Sequence, residues 1–416
     1  MDMVSISSII FYVLIFLCIY IQVFLYVTFF ENRKGFTIRK KTIHLSKYPL
    51  VTIIIPCWNE EKTVASTVDS VLGLNYPRNN VRIILVDDGS TDNTWNEILK
   101  FKDRKNVKIL HKENGGKYTA LNLGLEHVET EFVGCLDADS KAHPESLVRI
   151  MSYFEKDSML MSVASSVIAS HPQNIVQSAQ RPEYYLTAFA KKLLGFLNGI
   201  FVVPGPLTIF KKEVFDKLGP YRYAHNSEDM EITYRMQKNH YKIDQCHDAY
   251  VYTNTPPTIL KLYKQRLRWV YGSINNLIDY RELLFKKTHG NFSFFTLPMI
   301  TISIISASYL LGRIVYTLGN YAHSKFLQFK LIGFNISYAS NFFDPFFLNM
   351  RPIFFIIVLF YFFNIFSIVV GRKMIEGKWH LSVDMIYFFA IFSVCVPIWF
   401  FNAILDTVIS RKPSWR

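Results

Sequence analysis

Four short clusters of ionisable residues carry the chemistry that this chain can do. Asp137-Ala138-Asp139 follows an apolar stretch over residues 131–136. Two carboxylates one residue apart project to the same side of an extended chain. Like charges held that close are costly unless a cation lies between them. A hard divalent cation is the natural guest, and magnesium usually shares its coordination with substrate phosphates. Asp87-Asp88-Gly89-Ser90 ends another apolar run, Ser227-Glu228-Asp229 lies further on, and Gln265-Arg266-Leu267-Arg268-Trp269 sets two guanidinium groups beside an indole. Taken singly, each has an ordinary reading. The first two suit polar turns, the third a helix N-terminus where acids complement the dipole, and the fourth a basic face at a membrane surface. Their common order and context make chance a poor explanation.

The elements that must position these clusters can be read from periodicity. Residues 50–56, 81–86, 107–110 and 131–136 read as short buried strands. Residues 60–72, 91–100 and 119–127 read as the helices between them. Strands alternating with helices predict a largely parallel sheet, wound like a nucleotide-binding fold. Ligands in such sheets lie beyond the carboxyl ends of the strands, where the acidic pairs and Gly115-Gly116-Lys117 fall.

Composition adds a membrane part. Half of the 416 residues are hydrophobic and 16% are aromatic, too apolar for an ordinary soluble enzyme. Residues 7–30 are an apolar run long enough to span a bilayer. The run is long for a signal peptide and lacks a basic n-region and a cleavage site, so an anchor is predicted. Arg33, Lys34, Arg39, Lys40 and Lys41 follow it, which places the next segment in the cytoplasm. Further spans are predicted over residues 292–318, 352–370 and 383–405. Residues 326–348 form an external loop, an interfacial segment or a fifth span. Four spans leave Arg411, Lys412 and Arg416 outside; five bring them inside. Residues 178–201 and 258–285 are amphipathic, suited to the membrane plane or to packing on the globular core. The domains predicted are therefore an anchor over 1–32, a catalytic domain over 33–290 and a membrane region over 291–416. The net charge of +13 follows from positive-inside residues and phosphate or lipid contact, without nucleic acid. The five cysteines form no Cys-x-x-Cys pair, which predicts reduced thiols and no zinc site.

The order Asp-Asp-Gly, Asp-x-Asp, x-Glu-Asp, Gln-x-x-Arg-Trp resembles the membrane-embedded, polysaccharide-synthesising branch of the family 2 glycosyltransferases. That branch includes cellulose, chitin, hyaluronan and poly-N-acetylglucosamine synthases. The resemblance runs from about Val51 to Trp269, with the flanking spans. Ser227 stands where threonine is usual, and the hydroxyl is retained. The fold implied is an α/β GT-A (Rossmann-like) cytosolic glycosyltransferase domain combined with α-helical transmembrane and interfacial helices.

The same resemblance implies the roles. Pro56, Asn59, Glu60, Asp87 and Asp88 resemble the uridine-binding residues, with loop support as the alternative role for Asp87. Lys117, Gln265, Arg266 and Arg268 would meet the diphosphate. Asp139, with Asp137, would bind Mg²⁺ or Mn²⁺, Asp137 also facing the donor sugar. Asp229, next to Glu228, resembles the catalytic base. Trp269 resembles the platform beneath the acceptor sugar, and Gly205 lies where the family has its acceptor loop. The activity implied is processive, inverting β-glycosyl transfer from a UDP-sugar, UDP-N-acetylglucosamine first, on the cytosolic face of the cell membrane. The partners implied are the growing polysaccharide, membrane lipid and a small accessory membrane subunit. The alternatives are addition of one sugar to a polyprenyl-phosphate, whose enzymes usually lack Gln-x-x-Arg-Trp, and a silent membrane scaffold.

Overall fold

The computed structural model describes residues 6–36, 43–332 and 352–412. After helix α1 (Ile6–Glu31), strands and helices alternate: β1 (Val51–Cys57), α2 (Val64–Leu72), β2 (Val81–Asp88), α3 (Thr94–Leu99), β3 (Val107–Lys112), α4 (Lys117–Leu125) and β4 (Phe132–Cys135). Then come β5 (Ser140–Ala142), α5 (Ser146–Lys156), β6 (Leu160–Ala169), α6 (Ile175–Phe196), β7 (Thr208–Lys211), α7 (Glu213–Leu218), α8 (Glu228–Lys238) and β8 (Lys242–Thr253). Helices α9 (Ile259–Asp279), α10 (Leu297–Ile332), α11 (Pro352–Glu376) and α12 (Asp384–Val408) follow.

One eight-stranded sheet has the order β3-β2-β1-β4-β7-β6-β8-β5. Strands β3, β2, β1 and β4 are parallel, as the alternation predicts. The rest is mixed: β7 runs antiparallel to β4 and β6, and β5 antiparallel to β8. The antiparallel β4–β7 register sets Cys135 opposite Thr208. The chain entering β7 therefore passes beside the carboxyl end of β4, where Asp137 emerges.

Period two in the strands splits the core into two layers. Ile53, Ile55, Ile83 and Leu85 pack with α2 and α5, whereas Ile54, Ile84 and Val86 pack with α4 and α8. Each such fully buried side chain stabilises the fold by about 1.5–3 kcal/mol. Strand β1 continues through Pro56, where the sequence suggested a stop. The backbone of Ile54 bonds toward β4, with Leu136 N donating to Ile54 O at 3.0 Å. Pro56 faces the same side two residues later, where β4 has ended, so its missing N–H interrupts no ladder.

Among the described residues four helices are long and apolar enough to cross a membrane: Ile9–Glu31, Phe292–Leu331, Phe354–Glu376 and Asp384–Val408. The second exceeds the predicted 292–318. Its 40 residues would extend about 60 Å, twice the hydrocarbon thickness. Residues 326–332 thus continue this helix, and residues 333–348 of the proposed loop or fifth span lie outside the described residues. The amphipathic α6 and α9 sit between the sheet and the apolar helices. Tyr185, Phe189 and Leu193 of α6 share a buried cluster with Ile368 of α11 and with Phe388 and Trp399 of α12. Arg181 of α6 pairs with Asp384 at 3.2 Å and with Glu376 at 3.4 Å.

Candidate active site

The loops after β1 and β2 are stitched together at the sheet's carboxyl edge. Asn59 adopts a left-handed backbone (φ 55°), which asparagine tolerates. Its Oδ1 accepts from Thr91 N at 2.8 Å, and its N–H donates to Ser90 Oγ at 3.1 Å. Glu60 N donates to Thr94 Oγ1 at 2.7 Å, so Glu60 belongs to the loop and α2 begins only at Val64. Asp87 accepts from Ser90 Oγ at 2.5 Å and lies 2.8 Å from His111 Nδ1. Asp88 accepts from Gly115 N and Gly116 N, each at 3.0 Å, and from Lys112 Nζ at 2.7 Å. In this structure both carboxylates brace loops, and Asp88 builds the glycine turn that launches α4 at Lys117. Pro56 lies at the end of β1, Asn59 and Glu60 on the loop after it, and Asp87 and Asp88 are buried at the end of β2.

The centre of the site is a buried cation among acids. Lys117 Nζ lies 2.7 Å from Asp137 Oδ1 and 3.2 Å from Glu228 Oε1. Burial opposes its charge, but Asp137, Glu228 and Asp229 outweigh that and raise its pKa well above the ordinary value. Burial and the neighbouring Glu228 push the Asp229 carboxyl up to about 6, against the pull of Lys117 and Lys191. Arg268 faces the same acids; burial lowers its pKa despite Glu228, Asp229 and Asp137. Gly205 closes this side. A β-carbon there would lie 2.8 Å from Asp137 Oδ1 and 2.9 Å from Lys117 Nζ, so a larger residue would displace this ion pair.

Asp137 and Asp139 lie on a turn, closed by Ser140 N donating to Asp137 O at 3.0 Å, and not on the extended strand that their spacing suggested. Thr67 of α2 holds this turn through the Ala138 carbonyl at 2.8 Å. Burial, then repulsion from Asp137 and Glu60, lifts Asp139 to about 6. Among the described residues no group of three or more His, Cys, Asp or Glu side chains forms a ready-made metal cage. The donor set nonetheless fits a hard cation that completes its shell with phosphate oxygens. Glu60, Asp137, Asp139, Glu228 and Asp229 are five carboxylates against three cations, Lys117, Lys191 and Arg268, an excess of two negative charges.

Helix α9 brings the last cluster. The fork of Arg266 closes on Glu183 of α6, with Nε 2.9 Å from Oε1, and Nη1 donates to Gln265 Oε1 at 2.6 Å. Its guanidinium stacks 4.1 Å from the Trp269 ring centre, and Trp269 remains 40% exposed. The resemblance put both arginines on a diphosphate; here Arg268 faces the carboxylates and Arg266 holds α6 to α9. The sequence reading missed Glu183, Tyr184 and Lys191. Tyr184 lies against Arg266 and within electrostatic reach of Asp139. Lys191 faces Asp229, and burial lowers its pKa to about 8. The two are seven residues apart, on one helical face, so the signal was present in the spacing.

Comparison with known proteins agrees with this architecture. Residues 52–219 match the profile described as "Glycosyl transferase family 2". A poly-beta-1,6-N-acetyl-D-glucosamine synthase of Staphylococcus epidermidis is 31% identical over 224 residues, 53% of this chain and 54% of that protein. The Staphylococcus aureus (strain COL) synthase of the same description is 28% identical over 247 residues, 59% of this chain and 60% of that protein. The chain thus spans somewhat over half the length of the curated relatives it matches. A mannosyltransferase from Pyrobaculum calidifontis, solved with GDP-Man and Mn²⁺, shares the fold at TM-score 0.57 and 14% identity, over 96% of this chain and 99% of that one. Residues 52–219 of the chain are therefore similar to family 2 glycosyltransferases, within a mixed α/β domain that shares its fold with a solved glycosyltransferase and is joined to helices long and apolar enough to span a membrane.

Proposed function

We propose that this protein is a processive, inverting β-glycosyltransferase that polymerises N-acetylglucosamine from UDP-N-acetylglucosamine. The observation that carries the reading is the buried cluster in which Lys117 ties Asp137 to Glu228 beside Asp229. It joins a donor-side carboxylate to a candidate base across one cation. The likeness to poly-N-acetylglucosamine synthases supports the choice of sugar.

In this reading Pro56, Asn59 and Glu60 form the uridine side, with oxygen acceptors for ribose and base donors, and Asp87 and Asp88 hold the loops behind it. Lys117 and Arg268 supply positive charge toward the diphosphate, Arg266 and Gln265 hold α9 in place through Glu183 of α6, and Asp137 faces the donor sugar. Asp139 with Asp137 would hold Mg²⁺ or Mn²⁺, which when bound neutralises charge on the departing diphosphate. Asp229 takes the proton of the acceptor hydroxyl, with Glu228 fixing Lys117 beside it. The hydroxyl oxygen bonds to C1 as the C1–O bond to UDP breaks on the opposite face, and UDP leaves with the electron pair. Direct displacement with Asp229 as the one base means inversion, so an α-linked donor gives a β-linkage. Trp269 carries the acceptor sugar on its face, with the Gly205 loop alongside. The catalytic domain (33–290) works in the cytoplasm. The anchor (1–32) and the region 291–416 form a multi-pass membrane part that passes the polymer outward, in contact with lipid and a small accessory subunit.

Purified full-length protein supplied with Mg²⁺ and UDP-N-acetylglucosamine is expected to release UDP and yield a mass-spectrometric ladder of N-acetylhexosamine increments. Single addition to a lipid would remove processivity, and no UDP release from any UDP-hexose would remove the enzyme reading. The rate is also expected to depend on pH. A base must be ionised, and Asp229 sits near 6 because burial and Glu228 favour its neutral form. Turnover should therefore fall about tenfold per pH unit below about 6 and level off above. A rate that stays flat from pH 8 to pH 5 would rule Asp229 out as the titrating group.

A further inference from the structure

The turn that delivers Ser227-Glu228-Asp229 is strained. Ala224, His225 and Asn226 have φ of 44°, 53° and 62°, three successive non-glycine residues in the left-handed region. Such a run persists only where its surroundings over-determine it. The surroundings are one stripe of α9. Arg268, Gly272, Asn276 and Asp279 recur at spacings of four, four and three, which is one face of a helix.

Each member of the stripe meets its own part of the turn. Arg268 Nη1 donates to Asn226 O at 3.2 Å, and Asn276 Nδ2 reaches Ala224 O at 3.4 Å. Asp279 Oδ2 lies 2.9 Å from His225 Nε2. At Gly272 a β-carbon would stand 1.9 Å from Ser227 Oγ and 2.7 Å from Ser227 Cβ. Serine before a helix ordinarily caps it, yet Ser227 makes no side-chain cap to α8 and packs into Gly272 instead. Alanine is the better helix former, so a glycine in the interior of α9 answers to this contact.

We propose that the Arg268–Gly272–Asn276–Asp279 face of α9 is a cradle that fixes the position of Asp229, with the Gly272–Ser227 contact as its tightest point. Gly272, Asn276 and Asp279 are positioning residues: they act through the 224–227 turn. The same helix carries Trp269, so one rigid element bears the acceptor platform and braces the turn that leads into the base. The inference rests on Asp229 being the base, as proposed above.

The test compares full-length wild type with Gly272→Ala, Asn276→Ala and the double variant Ser227→Gly/Gly272→Ala. UDP affinity is read by calorimetry, kcat with UDP-N-acetylglucosamine, and folding by the melting temperature. Gly272→Ala should keep UDP affinity within about twofold and lose about 10²-fold in kcat, as a displaced base would. Returning space on the other side of the contact, the double variant should recover to within about tenfold of wild type. Asn276→Ala should lose about tenfold in kcat with UDP affinity intact. Wild-type kcat in Gly272→Ala overturns the cradle. So does a double variant that melts and binds UDP like wild type yet stays as slow as the single one. If Gly272→Ala does not fold, the double variant and Asn276→Ala decide by the same criteria. A wild type with no turnover at all would instead sink the proposed function.

Discussion

Asp229→Asn is expected to lower kcat by about 10²–10⁴-fold while UDP affinity stays within about twofold. The amide keeps the shape and the bond from Met230 N, which donates to Asp229 Oδ1 at 2.9 Å, but it cannot take a proton. Glu228 is the internal contrast. Its carboxylate lies 3.2 Å from Lys117 Nζ, so Glu228→Gln should disturb the charge cluster and nucleotide affinity together with the rate. Steady-state kinetics and calorimetry on both variants separate the two roles. An Asp229→Asn enzyme that polymerises at the wild-type rate would remove Asp229 as base.

Lys117→Met should damage both stability and catalysis. The methionine keeps most of the apolar stem but leaves Asp137 and Glu228 without their shared cation. Removing one partner of a buried ion pair typically costs about 3–5 kcal/mol, because the remaining charge is buried and uncompensated. The Lys117 side chain is only 19% exposed, so solvent screens little of this. Lys117 also holds the Asp229 pKa down. Without it the acid limb of the pH–rate profile should move to higher pH, and the melting temperature should drop. An unchanged melting temperature together with an unchanged acid limb would contradict the central place given to Lys117.

The parallel half of the sheet was legible because β1, β2 and β3 are local: each strand is followed by its own helix, and burial on both faces of β1 and β2 leaves runs of Ile, Leu and Val. The antiparallel return of β7 was not, since its partner β4 lies more than 70 residues earlier. Pro56 misled the strand boundary because its effect depends on where a neighbouring strand ends. The 326–332 segment was read apart from the span before it, whereas long unbranched residues such as Lys330 continue a helix readily.

The candidate site divides the same way. Asp137, Lys117, Glu228, Asp229 and Arg268 could be singled out from residue type and order, because a phosphate-bearing substrate needs carboxylates, cations and a base in some arrangement. Which cation answers which carboxylate was invisible. Arg266 pairs with Glu183 across 83 residues, and the Lys191 ammonium comes to Asp229 only because α6 lies across the cleft. The strained 224–226 turn was hidden too, since His and Asn tolerate a left-handed backbone without requiring it and Ala disfavours it. The chain alone therefore determined the kinds of groups and the layered α/β plan, since propensity, periodicity and motif spacing are local properties. Only the tertiary structure decided the pairings, the backbone strain and the helix face that holds the base, because these arise where segments distant in sequence must share one space.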